Sequence, residues 1–169
     1  MILYVSKPNI PNTMRLEHQV LKKLTLGHKT LALAESCTGG LIGDRLTNIA
    51  GASACFLLGI IAYDNAAKTK ILRVPPALLK KYGAVSSPVA KAMAKGVRQI
   101  LKTNYGLSVT GIAGPGGDSN KDKPVGLVFI AVSSKSKTTV KKFIFKGTRL
   151  AVKNKAAQTA LKMLAKSNH

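Results

Sequence analysis

Thr30-Leu31-Ala32-Leu33-Ala34-Glu35-Ser36-Cys37-Thr38-Gly39-Gly40 is the stretch on which the fold turns. Thr30 to Ala34 is almost continuously apolar, as strands buried on both faces are. From Gly40 to Ala50, the residues Ile42, Leu46 and Ile49 recur at i, i+4 and i+7, the mark of an amphipathic helix. A strand that enters a helix through a short polar turn is the building unit of α/β sheets. The turn sets Ser36 and Thr38 where free amide groups and the positive end of a helix gather. Such a place stabilises a phosphate or a developing oxyanion, and glycines let a ligand approach the backbone. Plain N-capping by Ser36 or Thr38 explains the same residues equally well. The segment is neither a P-loop nor a G-x-S-x-G elbow.

On either side the chain alternates in the same way. The first dozen residues carry Pro8 and Pro11 and read as an irregular extension, 1–12. Thr13 caps an expected helix to about Leu26, stopped by Gly27. Four more apolar runs read as strands: Phe56–Tyr63, Gly106–Thr110, Val125–Ser133 and Thr138–Phe145. The first two of these look buried, whereas the last alternates around Lys141 and Lys142 and suits an edge. Helices are expected over Pro75–Tyr82, over Ser87–Lys102 with Ser86 as N-cap, and over Leu150–Ala165. No crossover helix fits between the last two strands, so they should form a hairpin around Ser134–Lys137. The expectation is an α/β fold in one domain, 13–169. It is a three-layer α/β/α sandwich on a mixed, mostly parallel sheet of about five strands.

Composition narrows the function classes. Two cysteines, Cys37 and Cys55, do not make a secreted disulfide scaffold. With no apolar run of membrane length and no signal-peptide pattern, the expectation is a soluble cytoplasmic protein. Three scattered histidines, His18, His28 and His169, give no metal-ligand spacing, so neither metal nor cofactor is expected. Lysine and arginine number 27 against six acids, a formal charge of +21. A field of that size attracts phosphate and nucleic acid. The basic residues run from Lys7 to Lys166 with no arginine block, and aromatics make up 5%. Nucleic-acid grooves interleave arginine with aromatics, so a generally lysine-rich surface is the favoured reading.

Two further segments could carry chemistry. Tyr63-Asp64-Asn65-Ala66-Ala67-Lys68 ends a strand and opens a helix, with Asn65 as the expected N-cap. A lysine beside a serine becomes its base if burial lowers the amine pKa. No histidine has a slot for a triad, so a Ser-Lys pair suits Ser36 better. Lys68 as one more solvated lysine is the plain alternative. Thr110-Gly111-Ile112-Ala113-Gly114-Pro115-Gly116-Gly117 follows another strand, and its glycines permit close approach of a sugar or phosphate or simply make a loop. All three segments follow strand ends that a parallel sheet gathers on one edge, so they should share one crevice.

These segments, with Gly83-Ala84-Val85-Ser86 and Lys123-Pro124-Val125-Gly126, occur in the order of the CinA C-terminal domain family, which the chain resembles from about Leu16 to Leu164. The resemblance implies a stand-alone nicotinamide mononucleotide deamidase of pyridine nucleotide salvage, an often oligomeric hydrolase that yields nicotinate mononucleotide and ammonia. It implies Ser36 as nucleophile and Lys68 as base, with Tyr63 and Thr110 in support. Thr38, Gly39, Gly40, Gly111, Gly114, Gly116, Gly117 and Arg149 are the expected substrate contacts, the amides around Thr38 to Gly40 holding the oxyanion. The chain departs from the family at Gly147-Thr148-Arg149, where the family has Gly-Asp-Arg, so Arg149 is expected to be held less well. Cys37 is a rival nucleophile. The rival functions are a basic binding module for nucleic acid and a degenerate domain of the same family.

Overall fold

The computed structural model describes residues 15–116 and 123–167. The extension 1–12, Thr13, Gly117, Asp118, Asp122 and His169 lie outside the described residues. The elements in chain order are α1 (Arg15–Leu26), β1 (Leu31–Glu35), α2 (Leu41–Thr47), β2 (Phe56–Ile61), α3 (Asn65–Lys70), α4 (Pro76–Tyr82), α5 (Ser87–Ile100), β3 (Tyr105–Gly111), β4 (Leu127–Ser133), β5 (Thr138–Ile144) and α6 (Arg149–Ala165). A 3₁₀ turn over Ala52–Ala54, not anticipated from the sequence, leads into β2.

The five strands form one sheet in the order β2-β1-β3-β4-β5. β1 pairs in parallel with both β2 and β3, while β3–β4 and β4–β5 are antiparallel. The expected hairpin closes with Ser134 N–H donating to the Lys137 carbonyl at 2.7 Å. Helices cover both faces, which makes the three-layer sandwich.

Alternation along β1 shows how the layers are specified. Leu31 and Leu33 enter a core with Val20 and Leu24 of α1, Ile42 and Leu46 of α2, and Ala157 and Leu161 of α6. Ala32 and Ala34 face the other way, toward Met93 and Val97 of α5 and Leu72 and Val74 ahead of α4. Period two in the strand therefore sorts its side chains between layers. The small residues on the α5 side allow close packing. An added Cβ at Gly106 would stand 2.1 Å from the Ala94 carbonyl oxygen, and one at Gly96 would stand 1.9 Å from that of Leu72.

Three local expectations are corrected. β2 is an edge strand, not a buried one: Leu57, Gly59 and Ile61 are exposed. An apolar run reports hydrophobicity, but not whether a second neighbour pairs with it. The N-cap of α3 is Asp64, whose carboxylate accepts from Ala66 N–H at 2.7 Å, one residue before the expected Asn65. Ser86 does precede α5, but its hydroxyl donates to the Gly83 carbonyl at 2.9 Å and makes no cap bond. Among the described residues no helix is long and apolar enough to cross a membrane.

Candidate functional site

Because β1, β2 and β3 run parallel, the segments that follow them emerge on one edge. β1 lies between β2 and β3, so the chain leaves β1 to one side and returns to the other. Ligand crevices of α/β sheets open at such a point. Here a cavity of about 330 Å³ brings together Ser36, Cys37, Tyr63, Asn65, Lys68, Thr110, Gly111, Gly114, Gly116 and Arg149. That volume is at the lower end for small-molecule sites. A larger cavity of about 710 Å³ lies against α1, α2 and α6, lined by Glu17, Arg45, Gln158 and Lys162 among others, away from these strand ends.

Ser36 is held by its backbone on both sides. Its N–H donates to the Val109 carbonyl at 3.0 Å, and its carbonyl accepts from Gly39 N–H at 3.1 Å. The side chain is 8% exposed, and its hydroxyl has no hydrogen-bond partner among the described residues.

Lys68 is only 1% exposed. The first turn of α3 carries it back beneath the strand ends, where its ammonium donates to the Tyr63 carbonyl at 2.9 Å. It forms no ion pair with any described carboxylate. Burial pushes its pKa down from the ordinary 10.5, opposed by the negative field of Asp64 and by Cys37. The plain alternative of a solvated surface lysine is thereby removed.

Thr110 is 1% exposed and donates to the Ala84 carbonyl at 2.9 Å. That bond explains the Gly83–Ser86 segment, which carries no side-chain chemistry but places a carbonyl and Val85 at the cavity. Arg149 forks between two partners, donating to the Gly114 carbonyl at 2.7 Å and to the Tyr63 hydroxyl at 2.9 Å. It is therefore firmly held without the family's acid. Thr148, at the acid's position, caps α6 by accepting from Ala151 N–H at 3.3 Å. Val125 packs against Gly114, whose φ of +84° leaves little room for a side chain.

One expectation fails. Thr38, Gly39 and Gly40 are not in the cavity lining. Gly39 N–H is used by the Ser36 carbonyl, and Gly40 N–H by the Glu35 carboxylate at 3.0 Å. Glu35 also accepts from Ile42 N–H at 3.2 Å and Gly43 N–H at 2.9 Å. Of the amides expected to hold an oxyanion, Gly39's is thus taken by a backbone carbonyl and Gly40's by an internal acid, and neither Ser36 nor Thr38 caps the helix. Glu35 was visible in the sequence only as one acid near the site. The signal that would have found its role is strand parity, since Glu35 continues the Leu31, Leu33 face toward α2.

Cys37 also lines the cavity, with its thiol pKa pushed up to about 12, chiefly by burial. Both cysteines are free thiols. No group of three or more His, Cys, Asp and Glu side chains able to hold a metal occurs among the described residues.

Comparison with known proteins agrees with this geometry. The CinA C-terminal domain family model matches residues 13–168. A CinA-like protein of Acidobacterium capsulatum is 52% identical over 149 residues, covering 88% of this chain and 36% of that protein. A CinA-like protein of Geobacter sulfurreducens is 52% identical over 135 residues, 80% of this chain and 32% of that protein. The chain thus spans about a third of the length of the curated relatives it matches. Among solved structures, the competence damage-inducible protein A of Klebsiella pneumoniae superposes with a TM-score of 0.89 at 30% identity, covering 92% of this chain and 96% of that one. The competence/damage inducible protein CihA of Agrobacterium tumefaciens gives 0.87 at 35% identity, covering 94% and 97%. With residues 13–168 matched by the family model, the chain belongs to the CinA C-terminal domain family.

Proposed function

We propose that this chain is an amidohydrolase that converts nicotinamide mononucleotide to nicotinate mononucleotide and ammonia, with Ser36 as nucleophile and Lys68 as general base. The observation that carries the reading is the pairing of a buried amine of lowered pKa with an unbonded serine hydroxyl on one cavity. A neutral lysine takes the proton that a serine must lose to attack. Ser36 Oγ adds to the carboxamide carbon as its proton passes to Lys68. Lys68 then returns the proton to the departing ammonia. Water attacks the resulting ester as Lys68 takes its proton, Lys68 gives that proton to Ser36 Oγ as the ester bond breaks, and the acid formed loses its remaining proton to solvent as nicotinate. The amide of Cys37, a residue that lines the cavity and has no backbone acceptor on another described residue, is a donor left for the oxyanion. Arg149 and the basic field of the domain suit an anionic nucleotide phosphate. The reading is of a cytoplasmic, cofactor-free enzyme of pyridine nucleotide salvage.

The test is ammonia release from nicotinamide mononucleotide by purified protein, beside Ser36→Ala. Release that vanishes in the variant supports the reading. Equal release from both sinks the serine mechanism, and no release from folded protein sinks the substrate.

A further inference from the structure

Glu35 is 3% exposed and has no basic side chain as partner among the described residues. A buried carboxylate must be satisfied by hydrogen bonds, and this one takes three amides from the turn after Ser36 and the start of α2. Its own carbonyl accepts from Ala62 N–H at 2.8 Å, which fixes the end of β1 against the chain leaving β2. The next residue, Ser36, is tied to β3 through Val109. The 36–40 turn is therefore clamped from the sheet on one side and by an acid of its own strand on the other. Neither clamp uses a side chain that reaches the cavity.

We propose that Glu35 is a positioning residue that holds Ser36 toward the cavity as the nucleophile and keeps the adjacent Cys37 thiol from taking that role. The proposal rests on the serine–lysine reading above. Free amides and nearby cations are what convert a thiol into a reactive thiolate. Here the amides of Gly40, Ile42 and Gly43 are already used by Glu35, and that of Gly39 by the Ser36 carbonyl. The charged groups that bear on Cys37 are Glu35 from β1, Lys68 from α3, and Arg149 and Lys153 from α6. Of these only Glu35 is negative, and it opposes the cations. Without its charge, Arg149 and Lys153 would act on the thiol against burial alone, while the amides of Gly40, Ile42 and Gly43 would face a weaker, partly lost acceptor.

The test reads two quantities on the full chain, wild type and Glu35→Gln: kcat and KM for nicotinamide mononucleotide, and the pH profile of Cys37 alkylation by iodoacetamide. Peptide mapping separates Cys37 from Cys55. In the wild type, labelling of Cys37 should climb without a plateau to about pH 10. In Glu35→Gln the midpoint should fall by about one pH unit, read as about tenfold faster labelling of Cys37 at a fixed pH of about 9. Its kcat should drop about thirtyfold or more with KM within about threefold, because the nucleophile and not the substrate has shifted. A merely structural role would lower folded protein or raise KM without moving the thiol midpoint. An unchanged midpoint or an unchanged kcat in the folded variant overturns the proposal. If that variant does not fold, Glu35→Asp decides: it keeps the charge but shortens the reach to the three amides, so kcat should fall while the Cys37 labelling curve stays in place, and an unchanged kcat overturns the proposal. If the wild type turns over no nicotinamide mononucleotide, the deamidase reading falls and the thiol profiles alone judge Glu35.

Discussion

Arg149 and Tyr63 meet at 2.9 Å, guanidinium to phenol hydroxyl, joining the start of α6 to the loop after β2. A second Arg149 nitrogen holds the Gly114 carbonyl, so one side chain ties three segments together. Lysine cannot reproduce this fork. Tyr63→Phe should lower kcat/KM for nicotinamide mononucleotide about fivefold and Arg149→Lys about tenfold or more, as loss of a charge-assisted bond does. The double variant should cost less than the product of the two, since they share one interaction. Strict multiplicativity in a double-mutant cycle would show that the contact has no catalytic consequence.

Lys68 predicts a pH signature. Only the neutral amine is a base, so kcat/KM should rise with pH on a limb whose midpoint lies below 10.5. Lys68→Met should abolish that limb with the activity. Stability should move the other way. The folded pKa is depressed, so between that value and 10.5 the unfolded chain binds the extra proton, and burying the charged Lys68 destabilises the fold. This penalty is fully present below the depressed value and disappears as pH rises to the ordinary 10.5. Each unit of depression is worth about 1.4 kcal/mol. Lys68→Met should therefore melt higher than wild type near pH 7 and show little gain near pH 10.5. A variant that melts lower at both pH values would contradict a strained, desolvated amine.

Cys37 should be dispensable as a nucleophile. With its thiol raised to about 12, almost none is thiolate at neutral pH. Cys37→Ala should keep turnover within about threefold, whereas Ser36→Ala should lose about a thousandfold or more. The reverse ranking in ammonia release would transfer the nucleophile's role to sulfur.

Two glycines separate packing from flexibility. At Gly96 an added Cβ meets the Leu72 carbonyl oxygen at 1.9 Å, and at Gly116 it meets nothing within 4 Å. Gly96→Ala should cost about 2 kcal/mol by overpacking, lowering Tm by roughly 5 °C in a domain of this size. Gly116→Ala should stay within about 0.5 kcal/mol in thermal melts. Equal melting of the two variants would mean that α5 can shift away from the α3–α4 connection at little cost.

The five-stranded mixed sheet, the hairpin and the convergence of three segments on one edge were legible because they follow from periodicity and connection length. Ser36, Lys68 and Thr110 could be picked out for a related reason: each lies at or just beyond a strand or helix boundary that the pattern marks. What the chain hid were facts set by three-dimensional neighbours. An apolar β2 looks the same at an edge as at a centre, and only pairing distinguishes the two. The amides at Gly39 and Gly40 looked free because nothing local shows that Glu35 turns back to claim Gly40 N–H. The cap of α3 fell one residue early because Asp64 and Asn65 are both good caps. Arg149 looked loosely held because its partners, Gly114 and Tyr63, stand 35 and 86 residues away.

The reversal of direction between β3 and β4 has a consequence for how this domain can change. A parallel neighbour would need a helix to carry the chain back across the sheet. An antiparallel one starts where β3 ends, so the residues joining Gly111 to Leu127 begin and finish beside the cavity, and Val125 packs on Gly114 there. Gly111 to Gly114 and Gly116, at the start of that connector, line the cavity. Lengthening a loop costs little, about 0.6 kcal/mol per doubling. Descendants of this sequence can therefore remodel the pocket for a new nucleotide by editing that stretch, while the layers that make the protein fold stay as they are.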